Sequence, residues 1–206
     1  TDAHFSHQTH SLLPGFLISQ TLGFWSALRL FGQVFKPSMS PATSTSLQHM
    51  HKDSQLSIEH HGEFDGGLQI GFTKAEMVDR VEALLKSMGF VKDFAPLIYV
   101  VSHGSSSVNN PHFSAYDCGA CCGRPGSVNA RVVCHMANDP EVRSLLKERG
   151  LLIPEETRFV GALHDTSRDE IVYYDEMLMS QAQRVLHEEN VKIFAEALKA
   201  NALERS

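Results

Sequence analysis

The stretch Leu97-Ile98-Tyr99-Val100-Val101-Ser102-His103-Gly104-Ser105 decides the fold. Five apolar or aromatic residues in a row, β-branched ones among them, read as a short buried strand of a parallel sheet over 97–101, stopped by Ser102, His103 and Gly104. In open α/β sheets, ligands meet the protein just beyond the carboxyl ends of strands. His103 is therefore placed at a ligand-facing edge. Fourteen residues separate it from Cys118, and Ser105-Ser106-Ser107 and Asn109-Asn110-Pro111 between them are loop chemistry. Such a loop can fold back and bring an imidazole and a thiolate to one ion, and that donor set suits zinc.

Working outward, Thr73-Lys74-Ala75-Glu76 matches a capping box, Met77, Val81, Leu84, Leu85 and Met88 give one apolar face, and Gly89 stands ready as the stop. This predicts a helix over 74–88 leading into the strand. Beyond Cys118, a helix is expected over 127–137, and Asp139-Pro140 starts another that Gly150 ends. Arg158 to Leu163 reads as the next buried strand with His164 and Asp165 at its end. Residues 166–169 form a turn, and 171–175 return as an antiparallel strand. A terminal helix over 180–203 is expected to put Val185, Leu186, Val191, Phe194 and Leu198 inside. The order gives an α/β fold: a short, mostly parallel sheet with an antiparallel edge hairpin and flanking helices, the first two strands far enough apart for a parallel crossover. Helices 74–88 and 180–203 are expected to pack on that sheet.

Before this domain lie residues 1–57. Leu12 to Phe35 is mostly apolar, with Phe24, Leu28, Phe31 and Phe35 at helical spacing. Arg29 inside it argues against a bilayer span, and no basic region precedes it as in a signal peptide. An amphipathic helix packed on a partner or on the domain is expected. Pro37, Pro41 and a run of Ser and Thr make 36–57 a linker. The division is thus 1–57, helix and linker, and 58–206, the α/β domain. His4, His7 and His10, spaced by three, could bind metal from one helix face, but they read first as a polar, frayed terminus. Because residue 1 is Thr, the chain reads as a processed form or a segment of a longer one.

The net charge of −6 and the lack of a basic cluster exclude a general nucleic-acid binder. All four cysteines, Cys118, Cys121, Cys122 and Cys134, fall within seventeen residues, which suits reduced thiols better than a disulfide framework. Cys118-Gly119-Ala120-Cys121 is the one CxxC, able to serve as a redox pair or a metal clip; alone it excludes a four-cysteine zinc ribbon. Asp117 is a nearby carboxylate or a loop residue capping the backbone. Arg131 sits where it can look back at the loop and position an anion, or be solvated. Cys134 and His135 read as packing or surface residues.

These motifs, in order, carry a resemblance. Ser102-His103-Gly104-Ser105, Asn109-Asn110-Pro111, Ser114 to Cys121, Gly126, Asn129-Ala130-Arg131, Asn138 to Arg143, Ile153-Pro154, Thr157-Arg158-Phe159 and His164-Asp165-Thr166 resemble the DabA family, the large soluble subunits of a two-component bacterial inorganic-carbon uptake system. The resemblance covers roughly residues 74–175. The family is similar to β-type carbonic anhydrases, with zinc held by a Cys-x-Asp motif, a His and a second Cys; the His falls on His103 and the second Cys on Cys118. It implies CO2 and bicarbonate as ligands, Zn2+ as cofactor, a proton-conducting integral membrane partner and a peripheral position on the cytoplasmic side of the inner membrane. No Cys-x-Asp occurs in this chain. The resemblance therefore implies a carboxyl-terminal segment that supplies half of a zinc site, His103 and Cys118, with Cys121, Cys122, His112 or a second chain as substitute ligands. Such a segment alone is expected to be inactive. Two further readings stay open: a non-catalytic binding or structural module with a vestigial half-site, and a thiol redox protein using Cys118 and Cys121. Metal content and thiol reversibility discriminate among the three.

Overall fold

A computed structural model describes residues 12–35, 54–105, 117–121 and 123–205. They fall in two units, Thr1–Leu47 and Gln48–Ser206. In the first, α1 runs from Leu12 to Phe35. Among its described side chains Phe16, Phe24, Trp25 and Phe31 are each more than 60% exposed. Among the described residues no helix is long and apolar enough to cross a membrane.

The second unit begins with a hairpin, β1 (Phe64–Asp65) and β2 (Leu68–Gln69), turned by Gly66 and Gly67 at positive φ. α2 (Lys74–Ser87) starts at the capping box: the Glu76 N–H donates to Thr73 Oγ1 at 3.3 Å, and the Thr73 N–H donates to Glu76 Oε2 at 2.8 Å. Next come β3 (Leu97–Gly104), α3 (Ser127–Asn138), α4 (Pro140–Glu148), β4 (Arg158–Asp165), β5 (Glu170–Tyr173) and α5 (Gln181–Arg205). The Asp139 carboxylate accepts the Val142 N–H at 2.9 Å to cap α4, with Pro140 in its first turn.

The sheet order is β3-β4-β5. β3 and β4 are parallel, from Leu97 opposite Arg158 to Gly104 opposite Asp165, and β5 is antiparallel at the edge. The fold is mixed α/β, as expected. β3 does not stop at Val101 but continues to Gly104, because a neighbouring strand keeps polar residues in the ladder; Ser102 Oγ even donates to the Ala162 carbonyl at 2.8 Å. Side chains of β4 alternate. Phe159 joins a core with α2, α3 and α4, whereas Val160 and Ala162 join one with Tyr173, Met179 and Phe194. α3 lies directly on β3 and β4, as close as Gly161, where an added Cβ would come within 3.2 Å of the Arg131 Cα. That position is why α2 does not pack straight on the sheet as expected but chiefly on α3 and α4.

α5 covers the other face with His187, Val191, Phe194 and Leu198, spaced four, three and four. This phase turns Val185 and Leu186 outward, 50% and 40% exposed, contrary to expectation, and buries His187 instead. The Tyr99 hydroxyl meets His187 Nδ1 at 2.9 Å, and His187 Nε2 meets Glu176 Oε1 at 3.1 Å.

Candidate functional site

Parallel pairing delivers His103 and His164 to the same register at the carboxyl edge of the sheet. His103 is exposed there. His164 Nε2 stands 3.7 Å from Asp169 Oδ1 in the turn to β5.

The cysteine loop is tied to this edge at both ends. The Ser105 N–H donates to Asp117 Oδ1 at 2.7 Å, and the Gly126 N–H donates to the His103 carbonyl at 2.8 Å. Contact is tight: a Cβ on Gly126 would stand 3.0 Å from Ser102 Cβ, so a larger residue would have to push the strand end aside. Within the loop, Cys118 bridges Arg124, and its carbonyl accepts the N–H groups of Cys121 at 3.0 Å and Gly123 at 3.1 Å. Gly123 takes the positive φ that this turn needs. Asp117 is thus buried as a backbone cap, the plainer of its two expected roles. Cys122, His112 and the Asn109-Asn110-Pro111 loop lie outside the described residues.

The Cys118 thiol is held below its ordinary pKa. The chief cause is a hydrogen bond from Cys121, joined by the backbone N–H groups of Cys121 and Ala120 and opposed by burial and by the Asp117 charge. Asn129 Nδ2 donates to Cys121 Sγ at 3.3 Å and holds that thiol in place. Cys118, Cys121 and Cys134 are all free thiols. One imidazole and one acidified thiol fit a borderline-soft ion such as zinc by donor type. By number they make two ligands of four: among the described residues no three His, Cys, Asp or Glu side chains come together around a metal position.

Three other residues singled out by the sequence are fixed elsewhere. Arg131 does not look back at the loop. It is fully buried; Nε donates to Asp175 Oδ2 at 2.7 Å, Nη2 to Asp175 Oδ1 at 2.6 Å and Nη1 to Ser54 Oγ at 2.7 Å. Its anion is the protein's own carboxylate, reached because Gly161 lets α3 sit on the strand. Cys134 is buried and its pKa is pushed up to about 12 by desolvation. His135 Nε2 stands 3.3 Å from Glu59 Oε1. The Tyr99–His187–Glu176 chain escaped sequence reading, since 88 residues separate its first two members and nothing local marks them.

The second unit is therefore an α/β domain presenting imidazole and thiol at the carboxyl edge of a parallel strand pair. The chain belongs to the DabA family: the family described as "Probable inorganic carbon transporter subunit DabA" matches residues 1–206. It is 56% identical over 207 residues to a protein of that description from Azotobacter vinelandii, covering 100% of this chain and 24% of that one. It is 53% identical over 210 residues to another from Nitrosospira multiformis, covering 100% of this chain and 23% of the relative. A more distant relative, "Probable inorganic carbon transporter subunit DabA 2" of Rhodopirellula baltica, is 35% identical over 99% of this chain and 19% of its own length. The chain thus spans about a quarter of the length of the first two. No solved structure matches it.

Proposed function

We propose that this chain is the part of an inorganic-carbon transporter subunit that supplies the His and second Cys of a zinc site for CO2 hydration. The observation that carries the reading is the double tether of the cysteine loop: Asp117 to Ser105 and Gly126 to His103 hold Cys118 beside the strand end that presents His103. The relatives, described as inorganic carbon transporter subunits, point to inorganic carbon as the substrate class. The likeness to β-type carbonic anhydrases is part of the same proposal.

Each side chain has a definable task. His103 and Cys118 would hold the ion. Asp117 fixes the backbone under Cys118, and Gly126 fixes that under His103. Cys121 and its N–H stabilise the Cys118 thiolate, with Asn129 positioning Cys121. Zinc, when bound, supplies Lewis acidity that lets water lose a proton near neutral pH. The remaining ligands, a proton-conducting membrane partner and a peripheral position at the cytoplasmic face of the inner membrane complete the proposal.

Zinc affinity by competition with a chromophoric chelator, and stopped-flow CO2 hydration by the full subunit that carries this chain, test it. His103→Ala and Cys118→Ser are each expected to weaken zinc binding by at least tenfold and abolish hydration. Zinc affinity and rate unchanged in both would overturn the reading. One observation favours a second reading, a thiol redox pair: the Cys121 hydrogen bond to Cys118. A reversible 118–121 disulfide in a protein that takes up no zinc would select it.

A further inference from the structure

At the opposite, amino edge of the sheet, α4, the 149–157 segment and the start of β4 enclose a cavity of about 470 Å³. Arg143, Lys147 and Arg158 line it, and Glu155 is the single acid among its described lining residues. Arg158 is anchored by its backbone, whose N–H donates to the Pro96 carbonyl at 2.9 Å. Its half-buried guanidinium makes no hydrogen bond or ion pair among the described residues. Arg143 donates only to neutral acceptors: the carbonyls of Ala137 at 2.8 Å, Pro154 at 3.2 Å and Thr157 at 2.7 Å, and Asn138 Oδ1 at 3.1 Å. Thr157, also in the lining, is 2% exposed, and its Oγ1 has no hydrogen-bond partner among the described residues.

Glu155 forms no ion pair with either arginine among the described residues, and the other acids nearby are taken. Asp175 pairs with Arg131, Asp139 with Lys74, and Glu59 with His135. Burial lowers the pKa of both Arg143 and Arg158; the Arg158 charge depresses Arg143 further with Glu155 offsetting part, and for Arg158 the Asp175 charge offsets part of the burial. A buried cation without an anion is costly, and a buried hydroxyl without a partner is uncommon. Guanidinium groups present paired N–H donors matched to planar or tetrahedral oxyanions.

We infer that this cavity binds a small oxyanion of the bicarbonate or phosphate kind, held by the Arg158 guanidinium beside Arg143 and by the Thr157 hydroxyl. The site is separate from the proposed zinc edge. Leu97, opposite Arg158, lies six residues before His103 on β3, a rise of about 20 Å at 3.3 Å per residue.

Thermal unfolding of the full chain at pH 8 in chloride, inorganic phosphate or bicarbonate, at matched ionic strength, tests this. A ligand that binds the folded chain raises its melting temperature. At least one oxyanion is expected to raise it above the chloride value, and whichever does so identifies the source. Arg158→Gln, which breaks no side-chain hydrogen bond or ion pair among the described residues, and Thr157→Val, which keeps the shape, should melt no lower than the parent in chloride. Each should bind the oxyanion at least tenfold more weakly, as loss of a charge-assisted or buried hydrogen bond implies. The shift should persist when zinc is stripped with a chelator, so failure of the zinc reading leaves it intact. No shift with either oxyanion, a shift undiminished in both variants, or one that vanishes on chelation would overturn the inference.

Discussion

The polar groups under β4 and those at the carboxyl edge of the same sheet are used in opposite ways. Under β4, side chains serve as structure. Arg131 and Asp175 neutralise each other, and Asn138 brackets Phe159, donating to its carbonyl at 2.7 Å and accepting its N–H at 3.0 Å. At the carboxyl edge every one of these ties has a backbone donor: the Ser105 N–H to the Asp117 carboxylate, Gly126 to the His103 carbonyl and Thr166 to the Gly104 carbonyl. The first arrangement spends polar side chains on holding the fold. The second holds the loop by main-chain donors and the Asp117 carboxylate, and leaves imidazole and thiol at the edge, where a parallel sheet meets its ligands. Local chemistry alone therefore separates scaffold from candidate site.

The largest expected effect lies on the scaffold side. Asp175→Asn keeps a side chain that tolerates the left-handed backbone at φ 59° but removes the charge facing a fully buried Arg131. Breaking a buried pair by removing one partner costs about 3–5 kcal/mol; the lower end, about 3 kcal/mol, is expected because the Asp175 side chain is 26% exposed. Urea unfolding measures it. A loss under about 1 kcal/mol, the worth of an exposed pair, would erase the contrast between the two regions.

What was legible in the sequence was what is local. Thr73 and Glu76, or Asp139 and Pro140, act within one turn of helix, so spacing suffices to read them. The edge hairpin followed from runs and turn chemistry of the same short range, and the parallel pairing from the length of the crossover between two such runs. Arg131 misled because its partner, Asp175, is 44 residues away. The face of α5 was misjudged because Val185 and Leu186 are apolar, whereas the phase is set by Tyr99 and Tyr173 stacking around His187 on the sheet. Arg158 was legible as a strand start, but its guanidinium, unpaired among the described residues, was not, since a missing partner leaves no pattern in a sequence. His103 and Cys118 were singled out by strand-end position and by resemblance, and their joint role is what the zinc measurements decide.

A smaller effect is expected at the edge. Asp117→Ala removes the acceptor of the Ser105 N–H, a hydrogen bond to a charged group worth about 1.5–3 kcal/mol at most. Because the loop can relax toward water, a loss of about 1–2 kcal/mol in urea unfolding is expected, less than for Asp175→Asn. Zinc affinity should fall about 10–100-fold, as when a group that orients a ligand is removed. A loss of stability larger than that of Asp175→Asn would reverse the comparison and make the edge part of the scaffold.

The smallest effect moves no stability and reads the two regions through their thiols. Alkylation by iodoacetamide proceeds through the thiolate, so its rate follows pKa and access. Cys118 is held below its ordinary value by the Cys121 hydrogen bond, and it is half-buried in the loop. Cys134, in contact with the sheet under α3, is buried and pushed up to about 12. Its thiolate is therefore scarce at every pH below that value, and raising the pH from 7 to 9 exposes no new reactivity while the chain stays folded. Mapping labelled peptides by mass at pH 7.5 should find Cys118 modified well before Cys134, with Cys134 labelled only after denaturation. Cys121→Ala removes the hydrogen bond that acidifies Cys118, so the pH at which Cys118 becomes half-reactive should rise in that variant and leave Cys134 unchanged. Equal labelling of Cys118 and Cys134 in the folded chain would show that the edge and the region under the sheet are not chemically distinct.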